Sequence, residues 1–217
     1  MRGLLTKDIR LILGQRQFLA VMLLMSVFFV MQGTNAAFGV GYLTMLVGML
    51  TVTTVAYDEY NNGAAFLFTM PFSRRSYVAE KYVLGIGLGG LSCLVITVLA
   101  IALEQMRQSG MDVAEFVSSS VAVYLALELM LALMLPIQFK FGSERGRLAF
   151  ALVGVAAVTC ILGIGRIADR ITVPVEKLEW LADIGPIELI AALALVVVVC
   201  MCVSIFISVR IMEKKQF

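Results

Sequence analysis

The sequence contains no histidine, and only 15% of its 217 residues are charged. Without histidine, the chain cannot use His-based acid–base catalysis, a Ser-His or Cys-His nucleophile pair, or a histidine-ligated metal site. A soluble domain has about 25% charged and about 45–50% apolar residues. Here 61% of the residues are hydrophobic and the mean hydropathy is +0.97. These values exclude a water-soluble globule and indicate an integral membrane protein.

Several common site motifs are also missing or misplaced. All four cysteines lie inside apolar runs, so we interpret them as small packing residues rather than disulfide partners. No G-x-x-x-x-G-K-[ST] phosphate loop occurs, so the chain cannot bind ATP by that device. Gly85, Gly87 and Gly90 match a dinucleotide pattern but open an apolar helix, not a strand–helix turn. There, Gly85 and Gly89 instead predict close helix packing.

Six apolar stretches approach the length of about 20 residues that a helix needs to cross a bilayer core. We predict spans at Phe18–Gln32, Phe38–Ala56, Tyr82–Leu103, Phe116–Pro136, Leu148–Ile167 and Pro186–Val209. Unbroken apolar runs favour helices, because barrel strands alternate and are about half as long. The predicted fold is all-α: a polytopic six-helix transmembrane domain over residues 18–209, followed by a cytoplasmic tail over residues 210–217.

Basic residues are divided unequally between the two sides of this bundle. Thirteen of the 17 lysines and arginines fall in the N-terminal arm, the connections after the second and fourth spans, and the tail. The positive-inside rule therefore predicts that both termini are cytoplasmic. In residues 1–17, Leu5, Ile9, Ile12 and Leu13 share one helical face, which predicts an amphipathic helix in the cytoplasmic membrane interface. A charged topogenic flank is the alternative.

The cytoplasmic connection over residues 57–81 is not an ordinary polar loop. Asp58 and Glu59 open it, and Ser73 is placed to N-cap the helix that enters the third span. Between them lies an apolar patch of Phe66, Leu67, Phe68, Met70 and Phe72, which Pro71 interrupts. Such a patch needs a cover, so we expect either a short helix docked in a partner's groove or an interfacial helix on lipid. The residues alone do not distinguish between a partner's groove and lipid as the cover of this patch.

Two motifs resemble the small permease subunits of ABC-2 type transporters. The first combines Asp58-Glu59, Gly63, Met70-Pro71-x-Ser73-Arg74 and Val78-x-x-Lys81-Tyr82, with Met70 where leucine is more usual. The second is a tight cytoplasmic turn that runs from Pro136 through Phe141-Gly142-x-Glu144-x-Gly146-Arg147. The chain looks most like the permeases of two-gene bacterial exporters of amphipathic peptides, of which the phenol-soluble modulin exporters are the best-known case.

This resemblance implies a permease homodimer in the bacterial cell membrane, paired with two separate ATPase subunits. ATP and Mg²⁺ would bind those subunits, so this chain would hold no cofactor or metal and would not be an enzyme. The coupling helix, seated in an ATPase groove, would run from Phe66 to Arg75. The implied coupling residues are Glu59, Phe66, Phe68, Met70, Pro71, Phe72, Arg74, Arg75 and Lys81. The residues of the second cytoplasmic turn are Lys140, Glu144, Arg145 and Arg147. The default interpretation of its cations is that they only set the membrane topology.

Glu128 is the only ionisable residue deep within a predicted span. A carboxylate at mid-bilayer costs about 2.5–3.5 kcal/mol, so it should face the bundle interior or a water-filled cavity. We hypothesise that Glu128 attracts cationic substrates, and a protonated or hydrogen-bonded packing residue is the alternative. Further candidates for the pathway, or else lipid-facing or core residues, are the adaptable apolar side chains Phe28, Phe29, Met31, Phe38, Met45 and Met49.

We therefore expect the transmembrane subunit of an ATP-driven exporter of amphipathic, antimicrobial or toxin peptides, or of other hydrophobic substrates. A self-contained channel or secondary transporter is an alternative, although neither broken midplane helices nor inverted repeats are visible. A non-transporting membrane immunity or sensor protein is another. An intramembrane hydrolase is disfavoured because the chain lacks histidine for a nucleophile pair or a metal site.

Overall fold

A computed structural model of the chain shows a bundle of helices in its described part. The described residues are 2–32, 36–60, 63–67, 69, 72–107, 112–168 and 185–215. Side chains are not described for residues 2, 64–65, 143–144, 147–150, 152–168 and 186–187. The helices are α1 (Arg2–Gly14), α2 (Arg16–Met31), α3 (Ala36–Glu59), α4 (Gly63–Leu67), α5 (Arg74–Met106), α6 (Val113–Ala168) and α7 (Pro186–Lys214).

Four described helices are long and apolar enough to cross a membrane: α3, α5, the first part of α6 and α7. Helices α1 and α2 pass the same test only as a pair that is bent by 69°, so length and composition give four or five spans. Alone, α2 is about 24 Å long, which is shorter than a hydrocarbon core of about 30 Å. The all-helical membrane fold is confirmed. Six spans stay a prediction, because the fifth, Leu148–Ile167, lies in the part of α6 without described side chains.

Helix α6 is interrupted at Gly142, where φ is +76°. This left-handed conformation suits glycine, which has no Cβ to clash with its own backbone. Six residues earlier, Pro136 lies inside the helix and lacks the N–H that would bond to the Ala132 carbonyl. The Ser204 hydroxyl of α7 donates to that carbonyl instead. The proline therefore frees an acceptor that joins α6 to α7.

The bundle is organised around α3, which packs against α2, α5 and α6, while α7 packs against α5 and α6. Gly85 and Gly89 lie where α5 meets α6. A Cβ built on Gly89 would be 2.7 Å from Leu127, and one on Gly85 would be 3.0 Å from Leu131. The close helix packing predicted for these two glycines is confirmed.

The N-terminal helix α1 contacts the bundle through one stripe and exposes another. Leu4, Asp8 and Ile12 are buried, at intervals of four residues, whereas Ile9 and Leu13 are exposed. The apolar face predicted for this helix is therefore only partly used against protein. Its exposed members remain available to lipid, as the interfacial prediction requires.

Candidate functional site

A buried ion cluster joins α1, the end of α3 and the start of α5. At its centre the Lys81 amine is fully buried and forms ion pairs with Asp8 and with Asp58, the latter at 2.8 Å. It also donates a hydrogen bond of 3.0 Å to the Thr54 hydroxyl. A buried ammonium group needs such partners, because desolvation without them costs several kcal/mol. Helix α1 is thus tied to the connection between α3 and α5.

Lys7 supplies the second cation of the cluster. Its amine binds Asp58 and lies 3.1 Å from an Asp8 oxygen. Partial burial of the Lys7 ammonium favours a lower pKa, but hydrogen bonding and charge from Asp58, together with Asp8, raise the pKa above its ordinary value. Lys7 therefore keeps its charge throughout the physiological pH range.

The three carboxyl groups of the cluster are not equally well paired. The Asp58 carboxylate also accepts a hydrogen bond of 3.1 Å from the Tyr77 hydroxyl, so its charge is well compensated. Glu80 is different: it is 1% exposed, it lies 3.9 Å from the Lys81 amine, and neither of its oxygens has a hydrogen-bond partner among the described residues. Two ammonium groups thus lie among three carboxyl groups, of which Glu80 is the least closely paired with a cation. Loss of either cation would leave a buried acidic group without its partner.

A second set of contacts connects α3, α6 and the end of α7. The Lys215 amine lies 2.9 Å from a Glu59 oxygen and donates a hydrogen bond of 3.1 Å to the Phe139 carbonyl. Glu59 also lies beside the break in α6, since a Cβ on Gly142 would be 3.3 Å from its second carboxylate oxygen. Glu59 thus lies where the two predicted cytoplasmic connections meet.

The two arginines at the start of α5 also face α7. Arg74 donates to the carbonyls of Met212, Glu213 and Lys215 over 2.7–3.0 Å, and so caps the end of α7. Arg75 forms an ion pair of 2.7 Å with the Glu213 side chain, but 75% of its own side chain stays exposed. Of the two arginines, Arg75 therefore has the side chain that is free to contact another molecule as well.

The predicted apolar patch is divided between the core and the surface. Phe66, in α4, is 68% exposed, while Leu67 is buried and Phe72 packs against the core. Phe68, Met70 and Pro71 lie outside the described residues. The prediction of one helix from Phe66 to Arg75 differs from the structure: α4 ends at Leu67, and the extended Ser73 caps the start of α5 by accepting a hydrogen bond from the Ser76 amide.

The reason for this difference is local. Ser73 has φ −84° and ψ 151°, as an N-cap requires, so a helix cannot run through it. The cap predicted at Ser73 is confirmed.

In the second cytoplasmic turn, Lys140 and Arg145 are exposed at either side of Gly142. The Lys140 amine lies 5.1 Å above the Phe141 ring. The side chains of Glu144 and Arg147 lie outside the described residues. The backbone of Gly142 interrupts the helix at the predicted position, and the tight cytoplasmic turn stays a prediction.

Glu128 lies on α6 and is 3% exposed, facing α5 near Gly89 and Tyr124. Neither of its buried oxygens has a hydrogen-bond partner of normal geometry among the described residues. The Tyr124 hydroxyl, which lies near Glu128, donates a hydrogen bond of 3.4 Å to the Ile86 carbonyl. Within a single copy, Glu128 therefore faces a neighbouring helix rather than an open passage.

The candidate pathway residues lie on the apolar surface of α2 and α3. Phe28, Met31, Phe38 and Met45 are exposed. Phe29 is half-buried, with its ring centroid 4.9 Å from that of Phe38 in an edge-to-face arrangement. A further candidate, Met49, is also half-buried.

Part of this surface lines an apolar groove between α3 and α6. Its volume is about 530 Å³, and Phe38, Tyr42 and Met45 face Val123 and Met130 across it. Such a groove accommodates lipid chains, a second protein surface or an apolar ligand.

The sequence analysis missed Lys7, Asp8, Thr54 and Tyr77 as members of the ion cluster. For Asp8 a signal existed: it is the one acidic residue among the basic residues of the N-terminal arm, and it falls between Leu4 and Ile12 on one helical stripe. For the others, nothing in the sequence near them indicates their distant partners.

Comparison with protein families gives one match that spans nearly the whole chain. The family model described as "ABC-2 family transporter protein" matches residues 3–213. Searches of curated proteins and of solved structures found no match.

Proposed function

Because the chain belongs to the ABC-2 family of transporter proteins, we propose that it is the transmembrane subunit of a bacterial ATP-driven exporter. The observation that carries this proposal is the family match over residues 3–213, on a chain with several membrane-crossing helices. In this proposal ATP is hydrolysed by a separate subunit, in keeping with the lack of a phosphate loop in the sequence. Two permease copies and two ATPase subunits form the transporter, with both termini of each permease in the cytoplasm.

The proposed contact with the ATPase is the connection between α3 and α5. Phe66 offers an exposed aromatic ring, and Arg75, nine residues later in the sequence, offers an exposed cation. A groove on a partner would cover the ring and pair with the cation, which is how short segments commonly dock. Phe68, Met70 and Pro71 complete this surface in the proposal.

Three other coupling residues have a different role in this mechanism. Lys81, Glu59 and Arg74 contact α1, α3 and α7 of their own chain. They make the connection rigid, so a displacement of Phe66 is passed to several helices rather than absorbed by a loop. Rigid-body movement of packed helices is a common form of such transitions.

We further propose that the substrate is an amphipathic peptide. The exposed aromatic and methionine side chains on α2 and α3 support an apolar, adaptable wall. A peptide with one apolar face would contact this wall, while Glu128 would attract its cations if rocking of α5 and α6 opens that interface. Exporters of phenol-soluble modulins are one example of this class.

Binding of the ATPase is tested by co-purification. The genomic neighbour that encodes an ATPase is co-expressed with the parent chain and with Phe66→Asp, Phe68→Asp and Phe72→Asp variants. We expect the Phe66 and Phe68 variants to lose the ATPase while remaining folded, because a charge would enter an apolar groove. The control is Gly14→Asp, a change at an exposed position with no atom within 4 Å of the added Cβ. Retention of the complex and of export in the Phe66 and Phe68 variants would contradict the coupling assignment.

Transport is tested in inside-out proteoliposomes that contain both subunits and a fluorescent cationic amphipathic peptide. We expect uptake that requires ATP and stops when the ATPase is omitted. Equal uptake without the ATPase would favour a self-contained channel or secondary transporter instead.

A further inference from the structure

The part of α6 just before the break at Gly142 and the C-terminal end of α7 enclose a groove. The proposed mechanism does not use this groove. Its volume is about 600 Å³. Its walls are apolar, and its rim is basic. The walls are formed by Pro136, Ile137, Phe141, Ile207 and Ile211, and the rim by Lys140, Lys214 and Lys215.

The packing of α7 explains why this groove stays open. Ser204 and Ser208 are buried and hydrogen-bond with the Tyr82 hydroxyl, which holds one face of α7 against the bundle. Ile207 and Ile211 lie at the edge of that face, and Ile207 is 43% exposed. On the other side, α6 is interrupted at Gly142, directly after Lys140 and Phe141 of the groove.

The three lysines are not equivalent. Lys215 is paired with Glu59. Lys140 and Lys214 are exposed, and neither lies within 4.0 Å of a carboxylate in the described part of the chain. Among the side chains that the structure describes, no acidic one lines the groove. Within the described part of the chain, the groove therefore presents two positive charges without a paired carboxylate, above an apolar floor.

We propose that this groove binds an anionic phospholipid of the cytoplasmic leaflet. One acyl chain would lie against Ile137, Ile207 and Ile211, and the phosphate would sit between Lys140 and Lys214. On each helix a lysine follows an isoleucine of the wall by three residues: Lys140 follows Ile137, and Lys214 follows Ile211. This order matches a membrane surface, where acyl chains lie below charged headgroups. Basic pockets between transmembrane helices on the cytoplasmic side of a membrane bind anionic lipid headgroups. This inference does not depend on the identity of the exported substrate.

The test uses the purified full-length chain in detergent and native mass spectrometry. Phosphatidylglycerol and phosphatidylcholine with identical acyl chains are the probes. We expect the parent to bind phosphatidylglycerol more tightly. In the Lys140→Gln/Lys214→Gln variant, that affinity should fall about fivefold for each lysine, which corresponds to about 1 kcal/mol per cation near an anionic surface.

Two further variants separate charge from shape. Arg16→Gln/Arg210→Gln removes two cations of the same membrane side from outside the groove, and it should keep the preference of the parent. Ile207→Trp fills the groove while both lysines remain, and it should reduce binding of both lipids. Thermal unfolding of each variant establishes that it is folded.

Several results would overturn the proposal. These are equal affinity of the parent for the two lipids, unchanged affinity in the double lysine variant, or displacement of phosphatidylglycerol by inorganic phosphate alone. Loss of a permease dimer in the lysine variant, with lipid binding intact, would assign the groove to a protein contact and would also overturn it.

Discussion

Replacement of Lys81 by methionine tests whether the buried ion cluster holds α1 on the bundle. Methionine has a similar length and volume, so the change removes the charge with little effect on packing. One ammonium group, on Lys7, would then face the carboxylates of Asp8, Asp58 and Glu80. Asp8 is fully buried and would lose its closest cation, because Lys81 and Lys7 are its only ion-pair partners among the described residues.

Removal of one partner from a buried ion pair costs about 3–5 kcal/mol, because the remaining charge is left without compensation. For a chain of this size, about 1 kcal/mol corresponds to a change of about 2–4 °C in the unfolding temperature. We therefore expect Lys81→Met to unfold about 6–20 °C below the parent. Adding Asp8→Asn should recover part of this loss, with a coupling energy of about 0.5–3 kcal/mol, since it removes one unpaired carboxylate.

The assay is thermal unfolding in detergent, followed by the loss of monodisperse protein on size-exclusion chromatography. Arg75→Met on the same helix is the matched control. Its ion pair with Glu213 is exposed, and such pairs contribute about 0–1 kcal/mol. The reasoning is refuted if Lys81→Met unfolds within 2 °C of the parent, or if Asp8→Asn lowers the stability of Lys81→Met still further.

Three further changes test separate features. Ser73→Ala removes the cap of α5 and should cost about 1 kcal/mol in thermal unfolding, whereas Ser73→Asp should retain it; equal loss in both would argue against capping. Gly89→Val should destabilise by about 1–3 kcal/mol because its side chain meets Leu127, whereas Gly87→Val, with no neighbour within 4 Å, should cost less. Glu128→Gln should keep or raise stability, because an unpaired buried charge is removed. The same variant should slow transport of cationic peptides, and unchanged transport would exclude the substrate role.

The positions of the helices follow from the sequence because apolar runs of membrane length have few other stable forms. The predicted span Phe38–Ala56 corresponds to α3 at Ala36–Glu59, and Pro186–Val209 corresponds to α7 at Pro186–Lys214. In each case the helix extends a few residues into polar sequence. Hydropathy detects the part that crosses the membrane, whereas backbone hydrogen bonding continues until a cap or glycine ends the helix.

Contacts between distant residues were not predictable in the same way. Asp8 and Lys81 are 73 residues apart, and Arg74 and Met212 are 138 residues apart. A single sequence carries no information on which of several carboxylates a lysine will meet, because the choice depends on how the helices are arranged. The prediction could therefore name Lys81 as important but could not identify Asp8 and Asp58 as its ion-pair partners.

The cations that the sequence assigns to the cytoplasmic side have at least two distinct physical roles, although a charge count treats them alike. Lys81 and Arg74 are turned inward, where they pair with carboxylates or cap a helix. Lys140 and Lys214 are turned outward at the edge of an apolar groove. All of them contribute to the charge asymmetry that predicts topology. Of these four cations, Lys140 and Lys214 are the two that are exposed, so we expect the lipid dependence of this chain to follow the groove rather than the total number of cations.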